Sequence, residues 1–515
     1  MATGKALFDL IKTLSPSEKR SFTLNNRLQK KNEKDGKKTY YNEIFNILYE
    51  LGDYNKEEIL ARLIDQIGND LLKTDPKSIL RHSENYLYEK LIETLKTSYA
   101  NKSISIQLQD LILEAQILDE RGLHLKAISV FKKAENLALK YHKNTFLLEI
   151  LPQKAAAIVA LEKKDIKEQI DAVYQMAHVA ANTLKEEMAY RHENIKLTTI
   201  FRTKNEQKKS DQFISNEIRD TYAKTESKDF PIHGSFFSQY YYYNILALSA
   251  HLQKKLQLAI EHQKKAIEIW NQHPHIIEKD ASSYMTQLAN LINYHICAKE
   301  FVEAEAIIEK LETVKIPQKN TDAKGEQFQN VYFYRQMLYL NQKKYPAALE
   351  LIQGIEGGLK KYKNKINESR KVAFFYNIGL IYLLNNDFDK ALHWLQKISR
   401  STRFNEHRPK LVRSARLLQL AIFYELESSK VVDNLSRNIK DNKKNTISIF
   451  EDILLKFFDQ LNKCVPSSKK EKEIFAHFQE ALKGLEDKEV IGYEAYCHWV
   501  EGHLNPIKDK YDWSN

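Results

Sequence analysis

Glycine and proline are scarce in this 515-residue chain, 14 and 10 residues, about 5% together against a usual figure of roughly 12%. Sandwiches, barrels and propellers need these residues at every hairpin, so such folds are excluded. Cysteine is scarcer still. Cys297, Cys464 and Cys497 lie far apart with no C-x-x-C pair, which excludes a disulfide framework or structural zinc site and points to a reducing compartment. Long apolar runs are missing too. The richest, Ala373 to Leu384, falls short of the roughly 20 residues a membrane-spanning helix needs. Met1 to Leu14 is interrupted by Lys5, Asp9 and Lys12, leaving no apolar stretch for a secretory signal. A cytoplasmic protein is expected.

Catalytic signatures are equally absent. The chain has no phosphate-binding G-x-x-x-x-G-K-[ST], no G-x-G-x-x-G, no H-E-x-x-H and no G-x-S-x-G. Gly354, Gly357 and Gly358 cluster, but no strand precedes them, and they read as the end of a helix. His273 and His275 flank a proline with no third ligand near. Neither enzymatic activity nor a metal or cofactor is expected.

What is present favours helices: 43% hydrophobic and 29% charged residues, with apolar positions at helical spacing. In the first hundred residues, Ser15-Pro16-Ser17-Glu18 is a helix start, with Ser15 as N-cap, Pro16 at the first helical position and Glu18 reaching back to the cap. Stripes such as Leu7, Leu10, Ile11, Leu14 and Ile59, Leu60, Leu63, Ile64, Ile67 predict a helical bundle over residues 1–103.

From about residue 104 a repeat emerges. One copy reads Ile378-Gly379-x-x-Tyr382, then Phe388, Ala391, Leu395 and Ile398; another reads Ala115-x-x-Leu118, Gly122, Ala127, Phe131 and Ala134. Further copies centre on Ala247/Ala259/Ala266, Ile292/Ala304/Ile308 and Tyr345/Ala348/Ile352/Ile355. The logic is steric: two helices that cross closely need small residues at the crossing and large ones beside it. These motifs make residues 104–444 resemble the tetratricopeptide-repeat family. The steps between Ala259, Ala304, Ala348 and Ala391 are 45, 44 and 43 residues, longer than the usual 34, and in this the chain is similar to bacterial peptide-sensing regulators. The resemblance implies an all-α architecture: an α-solenoid of helix hairpins behind the N-terminal bundle, closed by capping helices over 445–515. Those regulators often carry a DNA-binding helix-turn-helix at the N-terminus, and no such motif is present here.

The resemblance further implies that the first helix of each hairpin lines a concave groove, placing Tyr241, Asn244, His251, Asn293, Asn330, Phe333, Tyr376 and Asn377 there. Amides can both donate to and accept from an extended peptide backbone, and aromatics grip apolar side chains. A non-enzymatic scaffold or sensor holding a protein or peptide segment is the expected function.

Charge supplies the alternative. Residues 360–444 carry 19 Lys and Arg against 8 Asp and Glu, equal to the net +11 of the whole chain. Arg400, Arg403, Arg408, Lys410, Arg413 and Arg416 are its sharpest part, extended by Lys440, Lys443 and Lys444. Guanidinium forks match carboxylate and phosphate geometry, so an anionic partner (RNA, DNA or an acidic protein) is the second expectation. Six aromatics within Phe236–Tyr243 could stack on bases, but no basic residue falls between Gly234 and His251, which favours their packing between helices.

Overall fold

The computed structural model describes residues 4–30, 40–67, 76–100, 103–162, 166–203, 211–228, 234–318, 320–363, 365–401, 404, 408–440, 448–465, 468–485 and 491–505. Every regular element among them is a helix, as the lack of turn formers requires. The chain divides into two compact units, Met1–Gln287 and Leu288–Asn515.

The first unit opens with α1 (Gly4–Thr13), α2 (Pro16–Lys30), α3 (Tyr41–Glu50), α4 (Lys56–Ile67) and α5 (Pro76–Ala100). The predicted capping box forms: Ser15 Oγ accepts from Glu18 N, while the Glu18 carboxylate accepts from Ser15 N at 2.8 Å. Leu7, Ile11, Ile44, Leu48, Ile59, Leu63 and Leu87 close a core of their own. Then come α6 (Ile104–Glu120), α7 (His124–Lys140), α8 (Asn144–Val159), α9 (Lys167–Thr203), α10 (Asp211–Glu226), α11 (Phe236–Leu252), α12 (Leu256–Asn271) and α13 (Pro274–Lys279). The sequence reads as two helix pairs over 145–184 and 186–223. Instead α9 runs unbroken for 37 residues, since nothing between Pro152 and Pro231 is a glycine or proline.

Helix α14 (Ala281–Cys297) lies at the division, and the second unit continues with α15 (Phe301–Glu312), α16 (Thr321–Asn341), α17 (Tyr345–Lys361), α18 (Glu368–Leu384), α19 (Phe388–Ser399), α20 (Pro409–Glu425), α21 (Ser429–Lys440), α22 (Ile449–Leu461), α23 (Lys469–Lys483) and α24 (Tyr493–Leu504). Helix α18 packs on α16 and α20 as well as on its hairpin partner α19. Val412, Ala415, Leu418, Phe458, Phe475, Tyr496 and Trp499 belong to one core that α18 to α24 build together.

One connection recurs in both units. Lys254, Lys299, Lys343, Asn386 and Glu427 all have positive φ, at steps of 45, 44, 43 and 41 residues, and Gly122 takes the same conformation earlier. After each, the next amide bonds back across the helix end, as in Lys255 N→Ala250 O and Asp387 N→Tyr382 O, both 2.9 Å. This is a left-handed helix stop closed by a six-residue hydrogen bond. Five residues beyond the left-handed residue stands an alanine in five cases, Ala127, Ala259, Ala304, Ala348 and Ala391, each fully buried. The repeated alanines therefore occupy equivalent places.

Close approach explains their size. A Cβ on Gly379 would stand 2.7 Å from the Leu395 side chain of α19. The cluster Gly354, Gly357, Gly358 falls in the last two turns of α17, and the rings of Tyr332 and Phe328 on α16 lie against the backbone at Gly354 and Gly358. Ala391→Leu is accordingly expected to overpack the α18–α19 crossing and cost about 1–3 kcal/mol, read as a lower denaturant midpoint with an unchanged slope. A neutral outcome would mean that the crossing is looser than the burial of Ala391 implies.

Candidate functional site

The groove residues expected from the sequence fall in both units. In the first, the aromatic run of α11 is mostly internal. Phe236 packs edge-on against Trp270 at 4.8 Å, and Tyr242 against Tyr190 at 6.0 Å. The Tyr240 hydroxyl accepts from Gln287 Nε2 at 2.9 Å. Tyr241 is half-buried and stacks on Phe237, and burial raises its hydroxyl pKa. Asn244 is buried, with Nδ2 donating to Asn194 Oδ1 of α9 at 2.5 Å, so its amide already serves the fold. His251 packs against the Phe201 ring.

In the second unit, Asn293 is half-buried on α14. Tyr376 is a correction: it sits in the core rather than on a groove, bonded to Ser414 Oγ at 2.9 Å, and Ser414 in turn donates to Ile491 O at 3.0 Å. That chain ties α18 to α20 and to the start of α24, and burial pushes the Tyr376 hydroxyl up to about 12.

Asn330 and Phe333 come together around Arg370, with Arg408 close by and Asn377 further along the same helix. Asn367 caps α18, its Oδ1 accepting from Arg370 N at 2.8 Å, which fixes Arg370 in the first helical turn. The Arg370 side chain then lies over Phe333, its guanidinium carbon 4.2 Å from the ring centroid, and Nη2 donates to Asn330 Oδ1 at 3.2 Å. Arg408 is the N-cap residue of α20, and its Nε donates to Ser369 Oγ at 2.6 Å. Burial lowers the guanidinium pKa of Arg370, which is half-buried, and to some degree that of the more exposed Arg408; on Arg370 Tyr334 pulls upward, Arg408 pushes down by like charge more weakly, and Glu326 pulls up least. Asn377 stands seven residues after Arg370, on the same face of α18 about 10 Å along its axis. It is 7% exposed, and its Nδ2 has no hydrogen-bond partner. Arg370 was not among the expected site residues. Its one sequence signal is its place three residues after a capping asparagine.

The basic stretch proves less open than its composition suggests. Arg413 donates through both Nε and Nη2 to Glu451, the second bond at 2.9 Å, so its charge is matched inside the fold. Lys365, Lys371, Lys390 and Lys440 pair with Asp322, Glu368, Asp387 and Asp459. Arg400 is exposed at the end of α19, Lys410 is exposed and Arg416 half-buried. Arg403, Lys443 and Lys444 lie outside the described residues.

Two cavities in the first unit, of about 470 Å³ beside Glu193, Lys196 and Thr221 and about 400 Å³ beside Glu135, Lys154 and Met176, contain none of the expected site residues. No group of three or more His, Cys, Asp or Glu among the described residues is placed to hold a metal ion. Nor is any helix among them long and apolar enough to cross a membrane. No protein-family model matches the chain, and no curated protein or solved structure matches it significantly.

One histidine cluster generates a pH effect. His142, His273 and His275 gather beside Phe236, with His142 and His273 ring centroids 5.4 Å apart. His273 Nδ1 and His275 Nε2 donate to the carbonyls of Ile269 and Lys140. Burial, then the two neighbouring histidines, push His142 down to about 4. The unfolded chain takes up a proton near pH 6.5 that the folded state refuses until about pH 4, so stability falls as pH drops through that window. Discounted for partial exposure, the loss by pH 5 is on the order of 1 kcal/mol. His142→Asn, which tolerates the positive φ of 50° at this position, should flatten the fall in melting temperature between pH 7 and pH 5; an equally steep fall would remove His142 as its cause.

Proposed function

We propose that the chain is a non-enzymatic helical-repeat protein of tetratricopeptide-like type, whose second unit binds an extended peptide or protein segment along the first helices of its hairpins, α16, α18 and α20. The observation that carries this reading is the Asn377 amide, buried with a donor that nothing in the fold uses. An unsatisfied buried donor costs about 1–3 kcal/mol, and a peptide carbonyl would satisfy it once the side chain turns outward. Asn330 on α16 and the Phe333 ring beside it supply a second amide and an apolar grip. The recurrent left-handed helix stop supports the repeat reading, because it sets successive hairpins in one register. A nucleic-acid role for residues 360–444 is weakened by the pairing of Arg413 with Glu451.

Peptides selected from a displayed random library test the reading. Binders are expected to lose less than about tenfold in affinity between 50 and 200 mM salt, whereas a protein held by many phosphates loses about 10³-fold or more. Asn377→Ala should weaken those binders about tenfold while leaving the melting temperature unchanged or slightly raised, since it removes an unpaired donor. Equal binding by wild type and variant would show that this face of α18 is not the groove.

A further inference from the structure

Two neighbouring guanidinium groups in the second unit have only neutral partners. Arg335 meets Glu312 at 2.9 Å, Lys365 meets Asp322 at 2.6 Å, Lys371 meets Glu368 at 2.7 Å, and Arg413 meets Glu451. The half-buried Arg370 and the more exposed Arg408, which is bonded to Ser369 just before Arg370, make no ion pair with any carboxylate among the described residues. Tyr334 and, more weakly, Glu326 favour the charged form of Arg370. Each arginine has one neutral partner, Asn330 for Arg370 and Ser369 for Arg408, which leaves most of the five donors of each fork unused.

Their positions compound the cost. Arg370 lies in the first turn of α18 and Arg408 at the N-cap of α20, where the helix dipoles present partial positive charge and disfavour cations. Phe333 lies against the Arg370 guanidinium, whose donors all lie in the plane of the fork. Like charges held together at two positive helix ends, with unused planar donors, are the complement of a doubly charged oxyanion. Guanidinium accepts such a group through parallel N–H···O bonds.

We infer that Arg370 and Arg408 form a subsite for a doubly charged oxyanion, a phosphate or a pair of carboxylates, carried by the segment bound along α16, α18 and α20. The site's chemistry stands on the two arginines alone; only the identity of the carrier rests on the groove reading. Asn377, two turns further along α18, would hold the adjoining backbone, so charge and main chain would be gripped on one helix face.

Small anions test the subsite without any peptide. Inorganic phosphate and glutarate are titrated separately against the full chain at constant ionic strength, with chloride as reference. At ten times the dissociation constant, a rise in melting temperature of about 3 °C is expected, abolished in Arg370→Gln and in Arg408→Gln but kept in Lys410→Gln. A response to phosphate alone makes the carrier a phosphorylated segment, and a response to glutarate alone an acidic one; either supports the subsite. In parallel, phenylglyoxal modification mapped by mass spectrometry should slow at Arg370 and Arg408 by several-fold in the presence of the effective anion, and not at Arg400. That readout decides the matter should either glutamine variant fail to fold. No shift with either anion, or a shift that survives both substitutions, would overturn the inference. Anion binding with no selected peptides would leave the subsite standing and overturn the groove.

Discussion

Where two helices of a hairpin cross at the short end of the usual 8–10 Å range, nothing much larger than a methyl group fits between them. That constraint governs the register of the hairpins here. It fixes Ala127, Ala259, Ala304, Ala348 and Ala391 as fully buried alanines and Gly379 as a position where a methyl would strike Leu395. It also governs the connections. The left-handed conformation costs a non-glycine residue roughly 1–2 kcal/mol, yet lysine adopts it at 254, 299 and 343, asparagine at 386 and glutamate at 427. Such strain persists where packing on either side over-determines the backbone, and the five-residue interval to a buried alanine, kept after residues 254, 299, 343 and 386, is what that over-determination looks like.

The same geometry decides what remains on the surface of the first helices. Once the crossing fixes a helix's rotation, its opposite residues are committed as well. On α18, Gly379 faces α19, Tyr376 enters the core shared with α20 and α24, and Arg370 and Asn377 share another side. A rotation by one residue would bury Arg370 or expose Tyr376, and both would be costly. The polar cluster therefore depends on packing several ångströms away from it.

Much of the fold was legible in the sequence, because steric rules act locally. The capping box at Ser15 and Glu18, the alanine period and the helical class follow from spacing alone. The site was less legible. Spacing put Tyr376 beside Asn377, but whether a residue faces a core depends on which helices come to lie against it, and those of α24 arrive more than a hundred positions later. The basic stretch misled for a similar reason: Glu451, the partner of Arg413, lies outside it, and composition counts charges without pairing them. Asn244 carried the same signal as Asn377, yet its partner Asn194 sits on α9, a helix without repeat character. Arg370 was hidden because its interest lies in an absence, and no pattern in one sequence shows that a charge has gone unmatched.

Buried carboxylates in this chain show the two ways a charge answers the loss of solvent. Glu135 is buried completely, and burial alone would raise its pKa, but bonds from Lys132 at 2.5 Å and Lys154 at 2.6 Å hold it below the ordinary value. Glu187, buried with only the neutral donors Ser235 and Asn144, moves the other way. A carboxylate can answer the loss of solvent by taking up a proton. Arginine has no such outlet at physiological pH, since it stays protonated at any pH the fold survives. Two arginines held near each other, Arg370 half-buried and Arg408 exposed, are relieved by something negative or bear the repulsion permanently. Among the described residues carboxylates meet Arg335, Lys365, Lys371 and Arg413 but not Arg370 or Arg408, a role that a partner from outside the chain would fill.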